Sequence, residues 1–126
     1  MRLSRAVPTF VVSDVGATAD WYVKELGFRC SFFPDRPPYV YASLSRDEVE
    51  VMLLRIEGYQ KPDISRMRPE GLWDAYIRME GVTDLYELVR ERAFMRMPLT
   101  KQGYGDTEFE VRDPNGYILV FSELIR

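Results

Sequence analysis

The apolar positions of this chain follow two periods, and the change from one to the other marks the elements. Residues 6–12 are apolar and β-branched, the composition of a buried strand. Ser13 and Asp14 then offer N-cap side chains. Val15, Ala19, Tyr22, Val23 and Leu26 recur at helical spacing, with Asp20 and Lys24 as an i,i+4 pair on the outside. Gly27 suits the left-handed position after a helix, and Phe28 follows as its hydrophobic contact. Three strands are expected next, over residues 28–33, 39–44 and 49–56. Pro34, Pro37 and Pro38 break the first gap, and Ser45, Arg46 and Asp47 make the second turn.

Residues 58–71 lack periodicity and read as a connector, after which the pattern repeats. Residues 72–79 form a strand, and Val82, Leu85, Tyr86, Val89 and Ala93 share one helical face. Strands over 95–100, 107–112 and 117–122 complete a second β-α-β-β-β. The expectation is one domain over 1–126: a first module over about 1–57, the connector 58–71, and a second module over about 72–126. Neither half buries both faces of its sheet alone. The expected fold is therefore α+β, two βαβββ modules whose mixed sheets form a cup. The stretch EFEVRDPNGYILVF supports this. Asp113 to Gly116 is a tight turn, yet Tyr117, Ile118, Leu119, Val120 and Phe121 are all apolar where a half-wet strand alternates. A helix would cover one side of this strand, and the oily wall of a cup would be the other.

Composition narrows the function classes. With 46% hydrophobic and 29% charged residues the chain reads as globular, and no apolar run has the roughly 20 residues of a membrane span. The opening MRLSRAVPTFVVSD reads as a first strand rather than a signal peptide. Cys30 is the only cysteine, so no intrachain disulfide forms; it reads as a small core residue in a cytoplasmic protein. Twenty acids against 17 bases give a net charge of −3, which argues against nucleic acid as the main partner. Arg66 and Arg68 in the connector read as solvation. Histidine is absent, which excludes His-based triads, imidazole-ligated zinc and His general bases.

Two blocks carry a resemblance to a family, VVSDVGATADWYVKELGF at the front and YGDTEFEVRDPNGYILVF at the back. In order and spacing they resemble the vicinal oxygen chelate superfamily of glyoxalases, extradiol dioxygenases and bleomycin resistance proteins. The resemblance spans nearly the whole chain and implies that fold. It also implies where the enzymes' metal ligands would fall. Here those positions are Val7, Asp74 and Val120, with a fourth among residues 51–55, which hold no carboxylate or imidazole. One carboxylate cannot make a site of three or four ligands, so no metal and no other cofactor is expected.

The resemblance is nearest to the bleomycin resistance type, which implies a homodimer that binds flat, cationic antibiotics without chemistry. By alternation Asp74, Tyr76 and Arg78 share one side of their strand, and Tyr39 and Tyr41 share a face of theirs. The ligand-binding set expected on this basis is Phe32, Phe33, Tyr39, Tyr41, Met52, Leu54, Asp74, Tyr76 and Tyr104. Glu50, Glu108 and Glu110 add acidic candidates, and Trp73 is expected beneath the second helix. The structural alternative for each aromatic is ordinary core or dimer packing. Two other functions stay open. One is a metal-independent isomerase or lyase with Asp74, Glu108 or Glu110 as base and a tyrosine as acid. The other is a metabolite-binding chaperone of a biosynthetic pathway. No membrane or nucleic-acid partner is expected.

Overall fold

The computed structural model describes residues 1–124. The chain divides into two compact units, Met1–Lys61 and Pro62–Arg126. In the first, β1 (Thr9–Val12), α1 (Val15–Leu26), β2 (Arg29–Phe33), β3 (Tyr41–Arg46) and β4 (Val49–Arg55) follow one another. The sheet order is β1-β4-β3-β2, with β1 parallel to β4 and the other pairs antiparallel.

The helix begins where Asp14 Oδ1 accepts from the Ala17 N–H at 3.0 Å. It ends at Gly27, whose φ of 70° is left-handed, and Phe28 N–H donates back to the Tyr22 carbonyl. The Arg46 guanidinium donates to the Leu26 carbonyl at 2.8 Å and satisfies a further helix-end acceptor. Val15, Ala19, Tyr22 and Leu26 are buried on the helix stripe, and Phe10, Val12, Ala42, Leu44, Val51 and Leu53 on the sheet below. Val23, expected on the stripe, is exposed. Cross-strand register puts Phe33, Tyr41, Ser43, Met52 and Leu54 on the face away from α1.

The second unit repeats the plan with β5 (Ala75–Arg78), α2 (Val82–Val89), β6 (Met95–Lys101), β7 (Asp106–Arg112) and β8 (Ile118–Leu124), in the order β5-β8-β7-β6. The fold is thus α+β, two four-stranded mixed sheets in two βαβββ modules, as expected. Glu123 Oε1 accepts from the N–H groups of Gly81 and Val82 at 3.0 Å and caps α2 from the end of β8. The helix stops at Val89, so Ala93 is not part of its stripe. Pro98 interrupts β6, an edge strand, and the β6–β7 register shifts on either side of Met97.

The Asp113–Gly116 turn forms as expected. Asp113 Oδ1 accepts from Asn115 and Tyr117 N–H at 2.8 and 2.9 Å, and Gly116 takes a φ of 93°. The β8 residues Ile118 to Ser122 are buried on both faces. From Pro62 onward the connector belongs to the second unit. Arg96 Nη2 donates to the Pro69 carbonyl at 3.1 Å, and Arg112 Nη2 lies 3.5 Å from Ser65 Oγ. No helix of the described residues is long and apolar enough to cross a membrane.

Candidate functional site

Strand β7 alternates Asp106, Thr107, Glu108, Phe109, Glu110 and Val111, so its carboxylates share the face away from α2 while Phe109 and Val111 pack inward. All three carboxylate side chains are buried, and burial without partners is costly. Arg78 Nη1 donates to Asp106 Oδ2 at 2.7 Å, and Arg96 Nη1 donates to Glu110 Oε2 at 2.7 Å. Between them, Glu108 accepts from two phenols, Tyr76 and Tyr104.

Tyr76 is the hub. It stands on β5, paired with Val120, and its side chain reaches across β8 to β7. Its hydroxyl lies 2.5 Å from Glu108 Oε2, 2.9 Å from Asp106 Oδ2 and 3.0 Å from Ser122 Oγ. A phenol has one proton to give. The short contact to Glu108 takes it, and Asp106 Oδ2 is served by Arg78. Burial, with the adjacent carboxylates, pushes the Tyr76 phenol far above its usual range. The same causes push Tyr104 up to about 12. Both rings therefore stay neutral donors. Burial pushes Asp106 up, but the hydrogen bond and charge of Arg78 hold its carboxyl below the ordinary range. Burial raises the Glu110 carboxyl despite the Arg96 guanidinium beside it.

Aromatic surface adjoins this acidic row. The Trp73 ring lies 5.0 Å from that of Tyr76, tilted by 56°, and Trp73 is exposed rather than packed beneath α2. Tyr104 stands in the β6–β7 turn, exposed as a residue although its hydroxyl is drawn in onto Glu108. Asp74 is tied into the backbone instead. Its Oδ2 accepts from Ile118 N–H at 2.8 Å, and its own N–H donates to the Ile118 carbonyl.

In the first unit the expected set separates. Phe33, Tyr41, Met52 and Leu54 share the face away from α1, where Glu50 also stands, bound by Arg5 at 2.6 Å and by Ser43 Oγ at 2.7 Å. Phe32 pairs with Ala42 on the opposite, helix-bearing face. It stacks there on Tyr39, ring centroids 3.9 Å apart and nearly parallel. Tyr39 precedes β3 and so shares no strand face with Tyr41. Period-two alternation cannot put Phe32 and Phe33 on one wall.

Asp106, Arg78, Arg96, Ser122 and Trp73 are the members that sequence reasoning left out or used otherwise. The alternation through Glu108 and Glu110 extends back to Asp106 and was the signal available for it.

The metal positions implied by the resemblance do not fit a divalent ion. Val7 precedes β1, Val120 is an aliphatic side chain beside Tyr76 and Glu110, and Asp74 serves β8. Among the described residues no group of three or more His, Cys, Asp or Glu is placed to hold one.

Solved structures share this fold over nearly the full chain. TioX from Micromonospora sp. ML1 is 21% identical with a TM-score of 0.73, covering 98% of both chains. A bleomycin-binding protein from bleomycin-producing Streptomyces verticillus, complexed with copper(II)-bleomycin, is 24% identical with a TM-score of 0.68 over 96% of each. A glyoxalase-related enzyme from Clostridium phytofermentans is 17% identical with a TM-score of 0.75, covering 99% of this chain and 98% of its own. No curated protein matches the sequence. The family model for the Glyoxalase/Bleomycin resistance protein/Dioxygenase superfamily matches residues 3–121, and the chain belongs to that superfamily.

Proposed function

We propose that this protein is a cytoplasmic, homodimeric binding protein that sequesters a planar aromatic, cationic small molecule without transforming it. The observation that carries this reading is the buried row Asp106, Glu108 and Glu110 with Tyr76, Tyr104 and Trp73 beside it. Three buried carboxylates meet two guanidinium partners, which favours a ligand that brings positive charge. Aromatic rings suit a flat ligand, each stacked contact contributing about 0.5–1.5 kcal/mol beyond its area burial. The fold shared with bleomycin-binding proteins agrees with such a role.

Chemistry is the second reading, and Glu110 is what favours it, since burial raises its carboxyl toward the range of a general base. Against it, Arg96 occupies that carboxylate, and the Tyr76 phenol is pushed away from proton donation to a substrate.

A thermal-shift screen with planar natural products tests the proposal, because a ligand of the native state alone raises the melting temperature. The expected hit is a cation recovered unchanged, and Tyr104→Ala should weaken it severalfold with the fold intact. Equal affinity of that variant, or a product whose formation Glu110→Gln abolishes, would overturn the binding reading.

A further inference from the structure

Arg78 stands out among the groups around Tyr76. Its side chain is 63% exposed, yet its guanidinium sits on Asp106, whose side chain is only 5% exposed. The guanidinium carbon also lies 5.2 Å from the centroid of the Tyr76 ring, within the range of a cation–π contact. A buried carboxylate on one side and an aromatic face on the other are the two features that recognise an organic cation. In this protein the cation found there is the chain's own. An arginine held along its length by packing would be structural; this one is anchored at its tip while its side chain as a whole stays 63% exposed.

We propose that Arg78 is the residue that sets charge selectivity: its guanidinium occupies a cation seat formed by Asp106 and the Tyr76 ring, and a ligand's organic cation, a guanidinium or a quaternary nitrogen, enters by displacing it. This rests on the reading of the protein as a binder of planar cations and adds the group of the ligand that is recognised and what competes with it. Displacement costs the Arg78–Asp106 pair but leaves Asp106 paired with the incoming charge. Arg78 gains full hydration, which the exposure of its side chain favours. A neutral ligand of the same shape cannot replace the charge on Asp106, so it leaves Arg78 seated. The seat therefore discriminates by charge, and the resident guanidinium sets the threshold that a ligand must exceed.

Two probes of nearly equal shape test this, 10-methylacridinium, a permanent cation, and acridine, uncharged at pH 8. Each is titrated into wild type, Arg78→Ala and Asp106→Asn. Removing the competitor should tighten 10-methylacridinium about tenfold and leave acridine unchanged. Asp106→Asn should abolish the preference for the cation, and it remains informative should Arg78→Ala fail to fold. A separate measurement needs no aromatic ligand. Methylguanidinium should saturably raise the melting temperature of Arg78→Ala beyond its effect on wild type, restoring the missing cation.

The outcomes separate the two claims. If both probes bind wild type and Arg78→Ala alike, the binding reading stands and competition by Arg78 is overturned. If neither probe binds but methylguanidinium stabilises Arg78→Ala, the seat stands and the planar-ligand reading falls. If neither effect is seen, both fail.

Discussion

Asp106 shows how one buried side chain ties the site to stability. Its folded-state carboxyl is held below the ordinary value of 3.8 by the hydrogen bond and charge of Arg78, against the effect of its burial. A group depressed on folding contributes stability above its unfolded pKa and loses it as pH falls through the folded value. Glu110 has the opposite sign. Its raised carboxyl favours the folded state below 4.5, and that contribution is lost as pH rises through its folded value. Wild type should therefore be more stable than Asp106→Asn at neutral pH, and the gap should close as pH falls below 3.8. Melting temperatures of the two proteins across that range check this; a gap that widens in acid would refute it. Part of this network was legible in the sequence: alternation put Tyr76 and Arg78 on one face, and Glu108 and Glu110 stood as acidic candidates. Asp106 was missed because it adjoins Gly105, where turn chemistry masks the first position of a strand. Asp74 misled in another way. A carboxylate at a strand end can satisfy a neighbouring strand's N–H, and only the β5–β8 register reveals that it does.

Elements were read best where a residue does something only a few residue types can. Gly27 is one such place. Its φ of 70° lies in the left-handed region, and a Cβ there would come within 3.2 Å of Arg46 Nη1, the group that caps Leu26. Gly27→Ala should cost about 1–2 kcal/mol from the backbone alone. Urea unfolding measures it, and an unchanged stability would show that the cap relaxes freely. The N-cap Asp14 and the Asp113–Gly116 turn were legible for the same reason. Strand ends were not. Residues 6–7, 39 and 72–73 continue the apolar composition of their strands but lie outside β1, β3 and β5, while Pro8, Val40 and Asp74 beside them still share a backbone hydrogen bond with the neighbouring strand. Side-chain polarity reports burial, whereas a strand ends where the neighbouring backbone stops pairing. The overlong α2 stripe has a similar origin: apolar spacing runs on through Ala93 although the helix stops at Val89.

At the scale of the molecule, the repetition of one topology was the most legible feature, since both sheets carry the same order of strand, helix and three strands. The proposed ligand was the least. Its shape depends on side chains from several strands, and no period along the chain encodes how those meet. Assembly lies between the two. In the first unit Phe33 is 69% exposed and Tyr41 41%, on one sheet face with Met52 and Leu54, and Val40 and Ile56 are exposed nearby in sequence. Apolar residues grouped on one face in this way mark an interaction surface. A twofold partner is the simplest cover for it, because an isologous interface meets the same patch on itself. Sedimentation equilibrium at micromolar concentrations should give a dimer. Phe33→Glu would place two charges close to the axis of such an interface if the patch lies there. That variant should sediment as a monomer with an unchanged far-ultraviolet circular dichroism spectrum, since Phe33 makes no part of the α1 core. A monomeric wild type would refute the dimer, and a dimeric Phe33→Glu would move the interface to another surface.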